Sequence, residues 1–143
     1  MAGSRVVVHD HSGHPFQVQL ARALAAQGHE VLHLYCSSFA TAHGALDVRP
    51  DDPATLTIDA IDHGEPFDKY HLSKRVRQEL RYARRFVARM EAFGPDVVLS
   101  ANTPLFAQNR LSTWAHRAGV PMVLWLQDIY SAAMGTAVRS RLG

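Results

Sequence analysis

The run Val6-Val7-Val8-His9-Asp10-His11-Ser12-Gly13-His14-Pro15-Phe16-Gln17 constrains the fold more than any other stretch. Three β-branched residues make a strand that breaks into a polar loop, and Pro15 stands where a helix tolerates a missing N–H. A strand feeding straight into a helix begins a crossover, which returns the chain to a parallel neighbour. The alternation recurs, and the spacing predicts strands at residues 5–8, 31–35, 56–61, 97–99 and 122–126. Phe16, Leu20, Ala23, Leu24 and Gln27 mark one face of the first helix, which Gly28 ends. Leu72, Val76, Leu80, Ala83, Val87 and Met90 make an apolar stripe on a long helix, with Arg77, Arg81, Arg84 and Arg85 opposite. Phe93-Gly94-Pro95-Asp96 stops it, Asn102-Thr103-Pro104 opens a helix to about Ala118, and a last one begins near Tyr130. These elements predict an α/β fold, a Rossmann-like doubly wound parallel sheet of order 3-2-1-4-5, as one domain over residues 1–143.

Composition narrows the classes. With 47% hydrophobic and 20% charged residues the chain is globular. No apolar run is long enough to span a membrane, and the N-terminus has no signal-peptide pattern. Cys36 is the single cysteine, which excludes an internal disulfide and fits a reducing cytoplasm. Net charge is +2 but uneven: seven acidic residues and one arginine lie within 47–68, and eight of the fifteen basic residues within 69–89. Such polarity predicts orientation toward a partner. The arginine face is either solvated or drawn to an anionic membrane. Nucleic acid is not expected, because no aromatic residues interleave with the arginines.

In the order 3-2-1-4-5, the loops after strands one and four flank the switch point where open sheets keep their ligands. A dinucleotide fingerprint is absent, since Gly13 stands alone. His9, His11 and His14 approach the His-x-His-x-Asp-His pattern of metallo-β-lactamase-like hydrolases, but Gly13 replaces the aspartate. Against a metal site stands the bland alternative of one imidazole capping the helix and the others, His9 above all, solvated. A polar cradle fits better: Ser12, Gly13 and His14 offer donors to a phosphate or sugar at a helix N-terminus. In Gln127-Asp128-Ile129-Tyr130-Ser131, Asp128 follows a run expected to be fully buried, so it caps a helix or works. Gln127 and Tyr130 suit sugar hydroxyls, and Asn102 and Thr103 are helix caps or ligand contacts.

Four segments together resemble the N-terminal domain of a family-4 glycosyltransferase of the GT-B fold. They are His11-Ser12-Gly13-His14-Pro15-Phe16-Gln17, Ala25-Ala26-Gln27-Gly28-His29-Glu30-Val31, Phe93-Gly94-Pro95-Asp96-Val97-Val98 and Leu124-Trp125-Leu126-Gln127-Asp128-Ile129-Tyr130. The resemblance implies transfer of a sugar from a nucleotide-sugar donor with retention, without a metal or other cofactor, across a cleft between two Rossmann-like domains. It places Ser12, Gly13 and His14 in the loop near the donor's phosphate and sugar, and Asp128 as the catalytic polar residue beside the transferring sugar. His11, Gln17, Asn102, Thr103, Gln127 and Tyr130 then line the acceptor side. The family's Glu-x7-Glu motif, carried on a C-terminal domain, has no counterpart here. The chain is therefore expected to be a truncated, incomplete N-terminal domain, inactive alone, in the cytoplasm or at the inner membrane face through Arg77, Arg81, Arg84 and Arg85. The rival readings are an acceptor-binding subunit that docks a partner chain supplying the donor domain, a His-ligated metal hydrolase, and, last, a Rossmann-type oxidoreductase.

Overall fold

The computed structural model of the protein describes residues 3–38, 44–68 and 70–127. Asp128, Tyr130 and the helix expected from there lie outside the described residues. The elements are β1 (Arg5–Asp10), α1 (Pro15–Ala26), β2 (Glu30–Cys36), β3 (Leu56–Ile61), α2 (Leu72–Phe93), β4 (Val97–Ala101), α3 (Leu105–Ala118) and β5 (Met122–Trp125). All strands are parallel, in the order β3-β2-β1-β4-β5. The fold is the Rossmann-like α/β sheet that the alternation predicts. β1 runs two residues further than expected, because His9 and Asp10 still pair with Leu34 and Tyr35 on one side and Ser100 and Ala101 on the other.

Alternation along β1 divides the core in two. Val6 and Val8 face α1 and pack with Ala21, Ala25, Val31 and Leu56. Val7 faces the other layer, where Leu34, Cys36, Tyr82, Phe86, Met90, Val98 and Leu111 close the larger core beneath α2 and α3.

The inward helix faces are rotated from the predicted ones. α1 buries Gln17, Val18, Ala21 and Ala25, while Phe16 is 60% exposed. Two alanines on that face let the helix lie close on the strands, and Phe16, in the first turn, stands at the open carboxyl edge. α2 buries Gln78, Glu79, Tyr82, Ala83, Phe86 and Met90, and Leu72 is 70% exposed. Gln78 and Glu79 are invisible to an apolar count but have structural partners. The Gln78 amide accepts from Asp68 N (2.9 Å) and donates to the Pro66 carbonyl (2.9 Å). Glu79 accepts from Phe106 N (3.0 Å), in the first turn of α3, and from Arg75 Nε (2.8 Å). Neither Asn102 nor Thr103 caps α3: its N-cap is Pro104, with no side-chain bond, and the cross-helix carboxylate of Glu79 serves instead.

The uneven charge is matched internally. Lys74 pairs with Glu65 (3.6 Å) and Asp68 (3.8 Å), Arg81 with Glu65 (3.5 Å), and Arg89 with Asp59. Arg81 also donates to the His63 carbonyl (3.2 Å) and Arg85 to that of Asp62. The acidic segment and the basic helix are each other's counter-ions, whereas Arg77 and Arg84 face solvent. β5 departs from its expected full burial: Val123 and Leu124 are half exposed, because among the described residues it pairs on one side only, with β4.

His9 is fully buried rather than solvated. Tyr82 Oη lies 2.7 Å from its Nε2; Ser100 Oγ (3.2 Å) and Thr103 Oγ1 (3.1 Å) flank Nδ1. Ser100 spends its proton on Gln108 Oε1 (2.9 Å) and Thr103 on the Ala101 carbonyl (3.1 Å), so His9 donates from Nδ1 and accepts from Tyr82. Every polar atom of this network is satisfied with a neutral ring.

Burial keeps four imidazoles neutral: it pulls His11 down to about 3 and His33 to about 4, and lowers His9 and His63. In the unfolded chain they titrate near 6.5. Below that pH the unfolded state takes up protons that the folded state refuses, so stability is full above about pH 7 and falls as pH drops toward the folded values. Each histidine contributes a slope of roughly 1 kcal/mol per pH unit within its window. Urea denaturation at about pH 7.5, 6 and 5 is expected to show a steep loss of midpoint; a flat profile would contradict neutral burial.

Candidate functional site

The carboxyl edge between β1 and β4 is the switch point: α1 covers one face of the sheet, and α2 and α3 the other. Asp10, the last residue of β1, is fully buried there. Its Oδ1 accepts from Ser12 N (3.3 Å) and from Asn102 Nδ2 (2.9 Å), and its Oδ2 accepts from His14 N. Gly13 N bonds to the Asp10 carbonyl (3.2 Å), and Gly13 takes the left-handed conformation (φ 70°) that the tight turn needs. The amides of Ser12, Gly13 and His14 therefore point inward, at Asp10. The cradle is an internal one, and what the loop shows to the outside is side chain.

His14 is that side chain. It is the N-cap of α1 by position but makes no side-chain cap bond, so no imidazole caps this helix. Asn102 Nδ2 lies 3.2 Å from His14 Nδ1 while donating to Asp10. A donating amide makes Nδ1 an acceptor and leaves the ring proton on Nε2. The ring is about one-third exposed, and Nδ1 sits 3.8 Å from Asp10 Oδ2. Asn102 holds a left-handed backbone (φ 50°), a conformation that asparagine tolerates better than most residues other than glycine. On the far side of the loop, Gly44 N donates to the Gly13 carbonyl (2.7 Å). A Cβ at Gly44 would come within 2.7 Å of Pro15 Cα, so only glycine lets this strand of chain lie on the start of α1.

The structure brings Ser12, Gly13, His14 and Asn102 together around Asp10. Thr103 turns inward to His9 and Ser100. His11 is buried on the α2 face, its ring against Tyr82 (4.8 Å between centroids). Gln17 is fully buried, and its amide meets no hydrogen-bond partner among the described residues. Gln127 is exposed just beyond β5. His9, His11 and His14 do not converge on one point: His9 is committed to Tyr82 and His14 to Asn102. His11 instead lies near Cys36 and His63. Sequence reasoning missed Asp10, whose signal was a carboxylate at the end of an apolar strand, and it missed His63, which no local pattern ties to the first loop.

A profile described as Glycosyltransferase Family 4 matches residues 16–141. Comparison with curated proteins finds no match. Among solved structures, the C-terminal domain of a hydrogenase from Pyrococcus furiosus is similar, with a TM-score of 0.59 and 17% identity over 87% of this chain and 94% of that one. A likeness at that identity speaks for the fold alone. A glycosyltransferase from a Streptomyces species aligns with a TM-score of 0.45 and 22% identity over 86% of this chain; the chain spans 39% of its length.

Because Asp10 organises the edge, Asp10→Asn turns an acceptor into an amide that faces the N–H donors. It is expected to cost about 2–3 kcal/mol, the range for losing bonds to a buried charged group. Asn102→Gly, which keeps the left-handed backbone and leaves the backbone donors bonded, is expected to cost about 1 kcal/mol. Urea midpoints at neutral pH check both, and equal costs would remove Asp10 from its organising place.

Proposed function

The chain belongs to glycosyltransferase family 4, and on that premise we propose that it is the acceptor-side domain of a sugar transferase. Joined by a donor-binding domain, on the same chain or a partner, it moves a sugar from a nucleotide-sugar to a hydroxyl acceptor with retention. The observation that carries this reading is the His14–Asn102 rim. His14 keeps a ring proton on Nε2 as a donor and Asn102 a side-chain oxygen as an acceptor, on two neighbouring, partly exposed side chains at the switch point. A sugar hydroxyl donates and accepts at once, so a paired donor and acceptor is what recognises it.

Within this reading Ser12 and Gly13 shape the loop that approaches the donor's phosphate and sugar, and His14 reaches it. Buried His11, Gln17 and Thr103 hold the acceptor side from behind, while Asn102 and Gln127 meet it. Asp128 and Tyr130 follow Gln127 in sequence, and Asp128 is the carboxylate assigned to the transferring sugar. The reaction asks for no cofactor beyond the nucleotide-sugar substrate, and the chain alone transfers nothing.

A titration of the purified chain followed by NMR tests this, with methyl glycosides as acceptor probes and UDP- and GDP-sugars as donor probes. The glycosides are expected to shift the His14 ring and Asn102 amide signals, and His14→Ala to weaken binding about tenfold, the worth of one lost hydrogen bond. Glycosides that leave both residues unmoved, or sugar transfer by the chain alone, would overturn the reading.

A membrane-borne acceptor is supported only through Arg77 and Arg84, since Arg81 and Arg85 are engaged with residues 62–65. No helix among the described residues is long and apolar enough to cross a membrane. Sedimentation with phosphatidylglycerol vesicles is expected to show weak binding that high salt removes and that Arg77→Glu with Arg84→Glu abolishes. Binding indifferent to both changes would sink that extension.

A further inference from the structure

Three strand ends bring ligating side chains to one point. His11 follows β1, Cys36 closes β2, and His63 stands two residues beyond β3. Cys36 N donates to the His11 carbonyl (3.2 Å), which sets these residues level, and Cys36 is level with Ile61. Level residues of parallel neighbours point to the same face, and His63 is the next residue after Ile61 on that face. One ligand atom from each of the three lies within 4.8 Å of the other two, and all three residues are buried. From this the geometry points to a binding site for one thiophilic cation, zinc(II), held by the Cys36 thiolate and the imidazoles of His11 and His63. The inference is independent of the sugar-transfer reading.

The donor set is a borderline-soft one, thiolate with two imidazoles, of the kind that selects zinc over magnesium or calcium. His63 is prepared for it. Its Nδ1 lies 3.2 Å from the Gln78 carbonyl and so carries the proton, which turns the lone pair of Nε2 away from α2. That Nε2 is buried and meets no hydrogen-bond partner among the described residues. An imidazole nitrogen with such an outer carbonyl partner is the usual arrangement around a bound metal. Tyr82 and Phe67 close over the pair, with ring centroids 5.2 and 5.5 Å from that of His63. The three atoms have to close by roughly 1 Å to reach a Zn–N distance of about 2.0 Å and a Zn–S distance of about 2.3 Å. Three protein ligands leave the fourth tetrahedral position for water or a small anion.

The proton balance is specific. On binding, the Cys36 S–H bond breaks, an S–Zn bond forms, and the proton leaves to buffer. Both imidazoles are neutral through burial and contribute lone pairs without losing a proton. One proton per ion is therefore released at neutral pH.

Cobalt(II) titration of the full, untagged chain tests the proposal. Because Cys36 is the sole cysteine, a thiolate-to-cobalt charge-transfer band in the wild-type protein can come from nowhere else. The expected result is one cobalt per chain, with that band and a tetrahedral visible spectrum, both displaced by equimolar zinc. Zinc is also expected to raise the melting temperature and to release one proton. Cys36→Ser is expected to abolish the band and the stabilisation, and His63→Gln to weaken zinc affinity at least about tenfold. Cobalt bound without the charge-transfer band, or no stoichiometric binding at all, would overturn the site. That reading comes from the wild-type chain, so it does not depend on either variant folding.

Discussion

The buried carboxylate of Asp10 ties the working edge of this protein together. A carboxylate out of water is costly unless its lone pairs are met. Here they are met by Ser12 N, His14 N and the Asn102 amide, from the loop after β1 and the loop after β4. The two loops that flank the switch point thus share one acceptor. The sharp turn at Gly13, the left-handed Asn102 and the orientation of the His14 ring all follow from satisfying it.

A second polar seam runs under the opposite face. Tyr82, His9, Ser100, Thr103 and Gln108 link α2, β1, β4 and α3 through hydrogen bonds from Tyr82 to His9, from His9 to Ser100 and Thr103, and from Ser100 to Gln108. Glu79 adds a carboxylate from α2 at the start of α3. Apolar packing would let these helices slide along one another; the seam admits one register, because a shift would strand buried polar atoms. Specificity at the core comes from the polar minority.

Strand order and the position of the switch-point loops were legible in the sequence because each strand–loop–helix unit is local and its handedness is fixed. Helix faces were less so. Counting apolar residues puts Phe16 and Leu72 inside and Gln17, Gln78 and Glu79 outside, whereas Phe16 and Leu72, in the first turns of α1 and α2, are exposed and the three polar residues are buried, Gln78 and Glu79 on hydrogen-bond partners. His9 reads as a loop residue until its partner Tyr82, far along the chain, is known. The rim of His14 and Asn102 was visible as two polar loops on one edge, but the inward turn of the loop's amides was hidden, since nothing local announces that Asp10 is their acceptor. Asp59, Asp62, Glu65 and Asp68 read as an outward-looking acidic patch, although the helix that neutralises most of them follows immediately in the chain.

That pairing between the acidic segment and α2 fixes how the protein looks from a distance. Opposite charges held within 4 Å of one another cancel at long range, leaving only the small net charge of +2 to be felt beyond a screening length of about 8 Å. Apart from the weak local pull of the solvent-facing Arg77 and Arg84, an anion drifting past this helix finds no guidance toward the switch point. Capture at the His14 rim is then a short-range event, governed by collision and fit, and its rate should be nearly blind to ionic strength.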